Sequence, residues 1–328
     1  MKENRLYNKN LAFINKEAKG NLVLDGKFVF ADKLDKQPML QFIKWITQRN
    51  PQKKEKKNDA FIPEVIHSTE FLNTKDDVIT WIGHSTFFIQ LNGIRILTDP
   101  IFYNITPMLK RRHARPCSIT AIQNIDYILL SHGHRDHLDN ASLRMLLKRN
   151  PNVEILCPLG FKKMLQKLGF KRIQEAAWWQ QYQTKKITID FLPAKHWNRR
   201  FVNDYNTTLW GSFAIYTENK SIYFAGDTGY STHFKAIHKH YAAFDTCLMP
   251  VGAYKPRYIM EWAHTSPDEA VDAFNELNGK TFIPMHYGTF DLSDEPASEP
   301  VKMLHQLEKE EKINGKLQIL KVGEIHSI

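Results

Sequence analysis

Residues 131–139 read Ser-His-Gly-His-Arg-Asp-His-Leu-Asp and place four metal-ligand types, His132, His134, Asp136 and His137, within six positions. Imidazole nitrogen and carboxylate oxygen are donors that suit zinc, and also iron or manganese. The apolar run before them, Ile125 to Leu130 (IDYILL), reads as a buried strand whose end delivers the cluster. Side chains alternate in an extended segment, so His132 and His134 point to one side. Asp136 and His137 are then free to face a second ion. A lone His-x-His is usually incidental, whereas three imidazoles and an acid at a strand end are the makings of a two-metal centre. Such centres suit the hydrolysis of phosphoesters and amides.

Four ligands cannot fill two sites, so further donors must come from downstream. His196 follows ITIDFLPA (187–194), Asp227 follows SIYFAG (221–226), and His286 follows TFIPM (281–285). Each stands at the carboxyl end of an apolar, β-rich run, where loops gather into sites. His238 and His240, in FKAIHKHYAAF, read as solvated positions of a surface helix. His67, His113, His233, His305 and His326 lack a strand-end context and carry no functional expectation.

The elements that must hold these residues follow from periodicity and turn signals. Runs 79–83, 86–91 and 94–98 are separated by short polar or Gly-containing turns, as in an antiparallel meander. Helices are predicted over 141–150, 161–170, 234–244, 266–278 and 300–313, and strands over 153–158, 187–193, 211–217, 221–226, 281–285 and 316–322. Residues 1–60 read as an N-terminal extension, packed on the core or at a membrane surface, and 61–328 as the catalytic domain. The extension holds a strand pair near 21–30 and an amphipathic helix over 40–49 (LQFIKWITQR). Asn50 to Asp59, rich in Lys, is expected to be a flexible loop.

The order HxHxDH, then separate His, Asp and His, resembles the metallo-β-lactamase superfamily. Residues 80–100 (TWIGHSTFFIQLNGIRILTDP), 196–212, 224–230 (FAGDTGY), 250–257 (PVGAYKPR) and 284–290 (PMHYGTF) narrow this. From about Phe61 onward the chain is similar to the N-acylphosphatidylethanolamine-hydrolysing phospholipases D and their bacterial relatives. The resemblance implies an α/β (α+β) fold, a four-layer αββα sandwich. It implies two zinc ions per chain, with iron or manganese as alternatives. His132, His134 and His196 would hold one ion; Asp136, His137 and His286 the other; Asp227 would bridge them. A hydroxide shared by the metals would be the nucleophile, so no Ser or Cys nucleophile is required. Asp136, Asp227 and His264 would be the catalytic residues, His264 steadying an oxyanion or assisting the leaving group. His84 and Asp99 would orient ligands through hydrogen bonds, and Tyr254 and Tyr287 would line the substrate pocket. The pattern departs where mammalian members carry Asn and Tyr at Gly133 and Arg135, and Gln at Ala263. These departures bear on the substrate and leave the ligands intact; Arg135 would favour an anionic substrate.

The 328 residues are 42% hydrophobic, enough for a large core, and carry three Cys, which opposes a disulfide framework and suits a reducing compartment. No apolar run reaches a membrane span, and the N-terminus lacks a signal core, so a cytoplasmic location is expected. Net charge is +10, with basic runs at Lys53–Lys57 and Lys110–Arg112, which favours an anionic surface. Peripheral contact with an anionic membrane is therefore expected of the 40–49 helix. The absence of an aromatic-and-basic stacking module speaks against nucleic acid. Nothing in the sequence fixes an oligomeric state. The leading expectation is a zinc phosphodiesterase acting on a phospholipid. Two alternatives are a metal hydrolase of a lactone or nucleic-acid phosphodiester, and a non-enzymatic member of the fold.

Overall fold

The structure, a computed structural model, describes residues 3–30 and 39–328, except the side chains of Glu3, Met39, Leu40 and Phe42. A small antiparallel sheet comes first, from β1 (Glu3–Leu6), β2 (Asn21–Leu24) and β3 (Lys27–Phe28), followed by α1 (Met39–Thr47) and α2 (Lys53–Asn58). A seven-stranded sheet is then built from β4 (Val78–Gly83), β5 (Thr86–Leu91), β6 (Ile94–Thr98), β7 (Tyr127–Leu129), β8 (Glu154–Pro158) and β9 (Ile173–Ala176). Helix α3 (Asn140–Arg149) links β7 to β8, and α4 (Lys162–Lys167) links β8 to β9. The second seven-stranded sheet runs in sequence order through β10 (Gln180–Gln181), β11 (Thr188–Leu192), β12 (Ser212–Tyr216), β13 (Ser221–Phe224), β14 (Phe244–Pro250), β15 (Gly279–Met285) and β16 (Lys316–Leu317). Helices α5 (His233–Tyr241), α6 (Arg257–Met260), α7 (Pro267–Glu276) and α8 (Glu299–Lys309) lie in its connections. Strand β17 (Ile325–Ser327) crosses back to pair antiparallel with β4, completing the first sheet.

Alternation along the strands makes the layers. Ile79, Trp81, Phe87, Ile89 and Ile96 join the core shared with Phe191, Phe213, Ile215 and Tyr223 of the second sheet. Their neighbours Val78, Ile82, Phe88, Leu97 and Ile128 turn the other way, onto Leu143 and Leu146 of α3 and Leu165 of α4. A sheet covered on both faces is buried at successive residues, and β4 and β5 are buried throughout. Phe234, Ala270 and Phe274, on α5 and α7, cover the far side of the second sheet. The result is the αββα sandwich expected from the sequence.

Each sheet is antiparallel in one half and parallel in the other, and the parallel halves are β6 to β9 and β13 to β16. Parallel strands send their carboxyl ends to one edge, where ligand-bearing loops collect. The ends of β6, β7, β13 and β15, joined by those of β4 and β11, build the site.

Several elements differ from the sequence reading, among them β1, β9, β10 and α6, which were not expected. The stretch 50–59 is a short helix pinned in place: Lys56 pairs with Asp291 at 2.5 Å, Gln52 donates to Glu299 at 2.6 Å, and Asp59 accepts from the Ser298 amide at 2.7 Å. β14 (FDTCLMP) was not expected, because Asp245 and Thr246 interrupt its apolar run. The final strand, expected over 316–322, is only Lys316–Leu317, paired with β15, and β17 beyond it, which joins the other sheet, was not expected. Of the extension predicted over 1–60, residues 1, 2 and 31–38 lie outside the described residues. Residues 3–30 are fastened to both seven-stranded sheets and their connections: Asn8 donates to Glu175 O of β9 at 2.7 Å and its amide to Gln180 Oε1 of β10 at 2.9 Å, the Trp178 amide donates to Asn21 at 2.9 Å, and the Phe28 amide donates to Asn206 O at 2.7 Å.

Candidate metal centre

His132, His134, Asp136 and His137 occupy the turn after β7. His196 follows β11, Asp227 follows β13, and His286 follows β15. All seven residues fall in two adjacent groups of ligand atoms, each within 4.8 Å: His132, His134, His196 and Asp227 in one, and Asp136, His137 and His286, joined by His84, in the other. In the first group His134 Nδ1 lies 2.9 Å from His132 Nε2 and 3.2 Å from His196 Nε2. Asp227 Oδ2 connects the groups, at 3.1 Å from both His137 Nε2 and His286 Nε2 and 3.8 Å from His132 Nε2.

Remote contacts fix how the rings face. His137 Nδ1 lies 2.8 Å from Asp99 Oδ2, so it carries the proton and leaves Nε2 as a lone pair toward the centre. His196 Nδ1 donates to Ala263 O at 2.9 Å, with the same consequence. His132 Nδ1 donates to Ser131 Oγ at 2.9 Å, which passes a proton on to Asp99 Oδ2 at 2.5 Å. Asp99 also accepts from the Ser131 amide at 2.7 Å, and so fastens two ligand rings at once. His84 Nε2 meets Asp136 Oδ2 at 3.0 Å and steadies that carboxylate. His84, Asp99 and His286 sit at φ of 56°, 32° and 64°. Left-handed backbone at non-glycine residues costs energy and clusters at functional sites.

These side chains fit a cation. His134 Nε2, His137 Nε2, Asp227 Oδ1 and both nitrogens of His286 are buried without a hydrogen-bond partner. Buried polar atoms left unpaired are costly, and lone pairs aimed at common points are what a metal ion satisfies. Charge tells the same story. Burial would raise the Asp136 and Asp227 carboxyls, but His137 and its neighbours hold both well below the usual range. Burial would lower His286 and His137, yet Asp227 and Asp136 lift His286 to about 9 and His137 well above its ordinary value. In the metal-free protein these imidazoles are therefore protonated near neutrality, and a bound cation must displace their protons. Metal affinity should accordingly rise with pH up to about pH 9, roughly tenfold per unit for each proton displaced. Competition with a chelating dye between pH 6 and 9.5 measures this, and a flat profile would contradict it.

The remaining expected residues are distributed differently. His264 is half-buried beside the centre, with Nδ1 3.9 Å from Asp227 Oδ2 and without a hydrogen-bond partner. Burial pushes it down to about 4, so its ring is neutral. Arg135 is exposed at the mouth, near Trp197, Arg199, Arg200, Phe201 and Val202. Tyr254 and Tyr287 are not brought to the cluster by their hydroxyls. Tyr254 donates to Glu299, and Tyr287 stacks on Trp81 at 5.1 Å.

Several supports escaped sequence reasoning. Asn198 Oδ1 accepts from the Gly133 amide at 2.6 Å, while Arg200 Nη1 donates to Gly133 O and Leu138 O, each at 2.7 Å. The loop after β11 thus grips the ligand turn from both sides. His113, read as incidental, is buried; Thr289 Oγ1 donates to its Nε2 at 3.0 Å and accepts from the His84 amide at 2.7 Å. Trp197 packs edge-on against His134 at 4.4 Å; its place next to His196 was the one available signal. A Cβ at Gly133 would lie 2.7 Å from Asn198 Oδ1 and 2.9 Å from Phe161. Gly133→Ala should therefore cost about 1–3 kcal/mol by overpacking and weaken metal binding roughly 10–100-fold as the turn shifts. Thermal unfolding and metal titration of the variant test both.

Residues 94–287 match the family described as a beta-lactamase superfamily domain. The chain belongs to that superfamily, and it is a metal-dependent hydrolase of the metallo-β-lactamase fold. It is 33% identical over 244 residues to an N-acyl-phosphatidylethanolamine-hydrolyzing phospholipase D of Caenorhabditis elegans, covering 70% of this chain and 68% of that protein. It is 35% identical over 239 residues to the mitochondrial N-acyl-phosphatidylethanolamine-hydrolyzing phospholipase D of Saccharomyces cerevisiae, covering 70% and 51%. The chain thus spans about half of the yeast protein. In fold it is similar to a metallo hydrolase of Ignicoccus hospitalis (TM-score 0.60, 21% identity, 77% of this chain and 99% of that one). It is also similar to a diiron β-hydroxylase of Streptomyces venezuelae (TM-score 0.58, 18% identity, 78% and 55%).

Proposed function

We propose that this protein is a dinuclear zinc phosphodiesterase of the phospholipase D type, acting on N-acylphosphatidylethanolamine or a related phospholipid. The observation that carries the reading is the gathering of six donor residues around a seventh, Asp227, in a chain similar to phospholipases of that activity. His132, His134 and His196 would hold one ion, and Asp136, His137 and His286 the other. Bound there, two zinc ions would supply charge neutralisation at the phosphoryl oxygens and a water of lowered pKa. The protein's own groups do the rest. Asp99 keeps the His137 proton on Nδ1, and His84 holds the Asp136 carboxylate in place. His264, neutral and unpaired beside the cluster, is suited to donate a hydrogen bond to a developing oxyanion. A ring with so low a pKa is a poor source of a full proton at neutral pH.

The mouth suits an interfacial substrate. Phe201 and Val202 are 64% and 79% exposed, with Arg135, Arg199 and Arg200 around them. Ile43 and Ile46 of α1 are exposed as well. Apolar tips ringed by cations favour peripheral contact with an anionic bilayer. Among the described residues no helix is long and apolar enough to cross a membrane. Three free cysteines support a reducing compartment such as the cytoplasm.

Zinc-loaded protein incubated with vesicles of N-acylphosphatidylethanolamine should release phosphatidic acid and an N-acylethanolamine. Turnover no higher than that of His134→Ala would overturn the lipid assignment. A parallel panel of lactones, chromogenic phosphodiesters and short RNAs would then locate the substrate, and metal analysis should give about two ions per chain.

A further inference from the structure

A second charged cavity lies away from the seven ligand residues. The segment between β6 and β7 walls a cavity of about 970 Å³, and neither a ligand residue nor any Asp or Glu contributes to its lining. Two guanidiniums do, those of Arg111 and Arg115. Among the described residues neither forms an ion pair with a carboxylate, unlike Arg172 with Glu154 and Arg257 with Glu269.

Arg111 donates to the carbonyls of Ile82 and Ile101, which anchors its head, but its Nε–H is buried with no partner. Arg115 stacks its guanidinium on Tyr103 at 5.6 Å, an arrangement that covers one face and leaves edge N–H groups for a ligand. Asn104 Oδ1 accepts from the Arg111 amide at 3.0 Å, and its amide nitrogen makes no hydrogen bond. Tyr103 and Ser118 line the same space. Burial and the neighbouring Arg115 charge pull Arg111 down to about 9, the behaviour of a cation lacking its counter-charge. A donor-rich cavity with two unpaired arginines and no acid is complementary to an oxyanion.

We infer that this cavity, walled by Arg111, Arg115, Tyr103 and Asn104, is an oxyanion-binding site distinct from the metal centre, taking a phosphate group. The planar fork of Arg115 matches a tetrahedral oxyanion in a way that Lys cannot, and the Arg111 guanidinium, held by the Ile82 and Ile101 carbonyls, adds positive charge behind it. The inference does not depend on which substrate the metal centre hydrolyses.

The test uses the full-length, zinc-loaded protein and reads the arginine side chains directly. Nε–Hε resonances are followed by NMR during titration with inorganic phosphate, with Arg111→Lys and Arg115→Lys used for assignment. Saturable shifts of the Arg111 and Arg115 signals are expected, weakened at least tenfold in Arg115→Gln. Chloride at matched ionic strength should leave them in place. Thermal unfolding gives a second readout: phosphate should raise the midpoint of wild type more than that of Arg115→Gln. A second titration, with dihexanoyl phosphatidic acid below its micellar concentration, distinguishes the source. Tighter binding than phosphate assigns the site to a lipid headgroup, and equal binding assigns it to free phosphate. Unmoved arginine signals with both probes, or equal affinity in Arg115→Gln, would overturn the site. If Arg115→Gln does not fold, Arg115→Lys, which keeps charge but loses the fork, should show an intermediate loss.

Discussion

Asp227→Asn should leave the protein folded yet bind no more than about one metal ion per chain, with hydrolysis reduced by roughly 10³-fold or more. The side chain is nearly isosteric, so packing survives; the negative charge does not. Asp227 Oδ2 is the single oxygen within 3.1 Å of both His137 and His286, and it also reaches toward His132 and His196 at 3.8 and 3.9 Å. Two cations brought this close need an anion between them, and Asp227 is the carboxylate set among the Nε2 atoms of both groups, whereas Asp99 meets their rings from the Nδ1 side. The substitution also has a pH signature in the metal-free protein. Asp227 is held well below the ordinary carboxyl range, burial being overcome by His137 and His286. A depressed carboxyl stabilises the fold above its unfolded pKa of about 4 and loses that contribution as pH falls through the native value. Metal-free wild type should thus lose stability on acidification below about pH 4 more steeply than Asp227→Asn. Metal analysis, turnover and unfolding at several pH values measure the three effects, and two tightly held ions in the variant would refute the bridging role.

Asp99→Asn should weaken metal binding roughly 10–100-fold although Asp99 touches no metal position. Its carboxylate is fully buried and accepts three hydrogen bonds, from the Ser131 amide, Ser131 Oγ and His137 Nδ1. An amide can replace one of those acceptors but presents N–H groups to the others. His137 would then favour the tautomer with its proton on Nε2, directed at the centre, where a lone pair is needed. Asp99→Ala should do more damage. It strands three buried donors at about 1–3 kcal/mol each, and this variant is expected to unfold well below wild-type temperature. Comparing the two separates the tautomer from the packing. If Asp99→Asn bound zinc as tightly as wild type, the hydrogen bond to His137 would be incidental.

Sequence patterning revealed the candidate ligands, and the family resemblance pointed to His84 and Asp99 beside them, but the other supports were missed, for a physical reason. A ligand must be His or Asp and must stand where a strand ends, so residue type and apolar periodicity together expose it. His196, Asp227 and His286 were readable on those terms. Asn198 and Arg200 hold Gly133 by its amide and carbonyl, and a backbone contact leaves no complementary residue type at the other end. His113 acts through Thr289, 176 positions away, and no local pattern connects them. The 50–59 stretch failed similarly. Its lysines and polar residues suit a solvated loop, but Gln52 finds Glu299 at a separation of 247 residues, and that pairing gives the short helix its place. The layers, by contrast, were legible because strand alternation and helix periodicity are local.

The pairing of β17 with β4 has a consequence for how the molecule is made. Ile325 sits opposite Thr80, and Ser327 opposite Val78. During synthesis the edge of β4 therefore stays open until residues 325–327 have been made, about 245 positions later, and an open, apolar edge invites pairing with other chains. Contacts of such long range also make folding slow. Deleting residues 325–328 would leave all seven candidate ligand residues in the chain and still lower the yield of native protein, by exposing that edge for good.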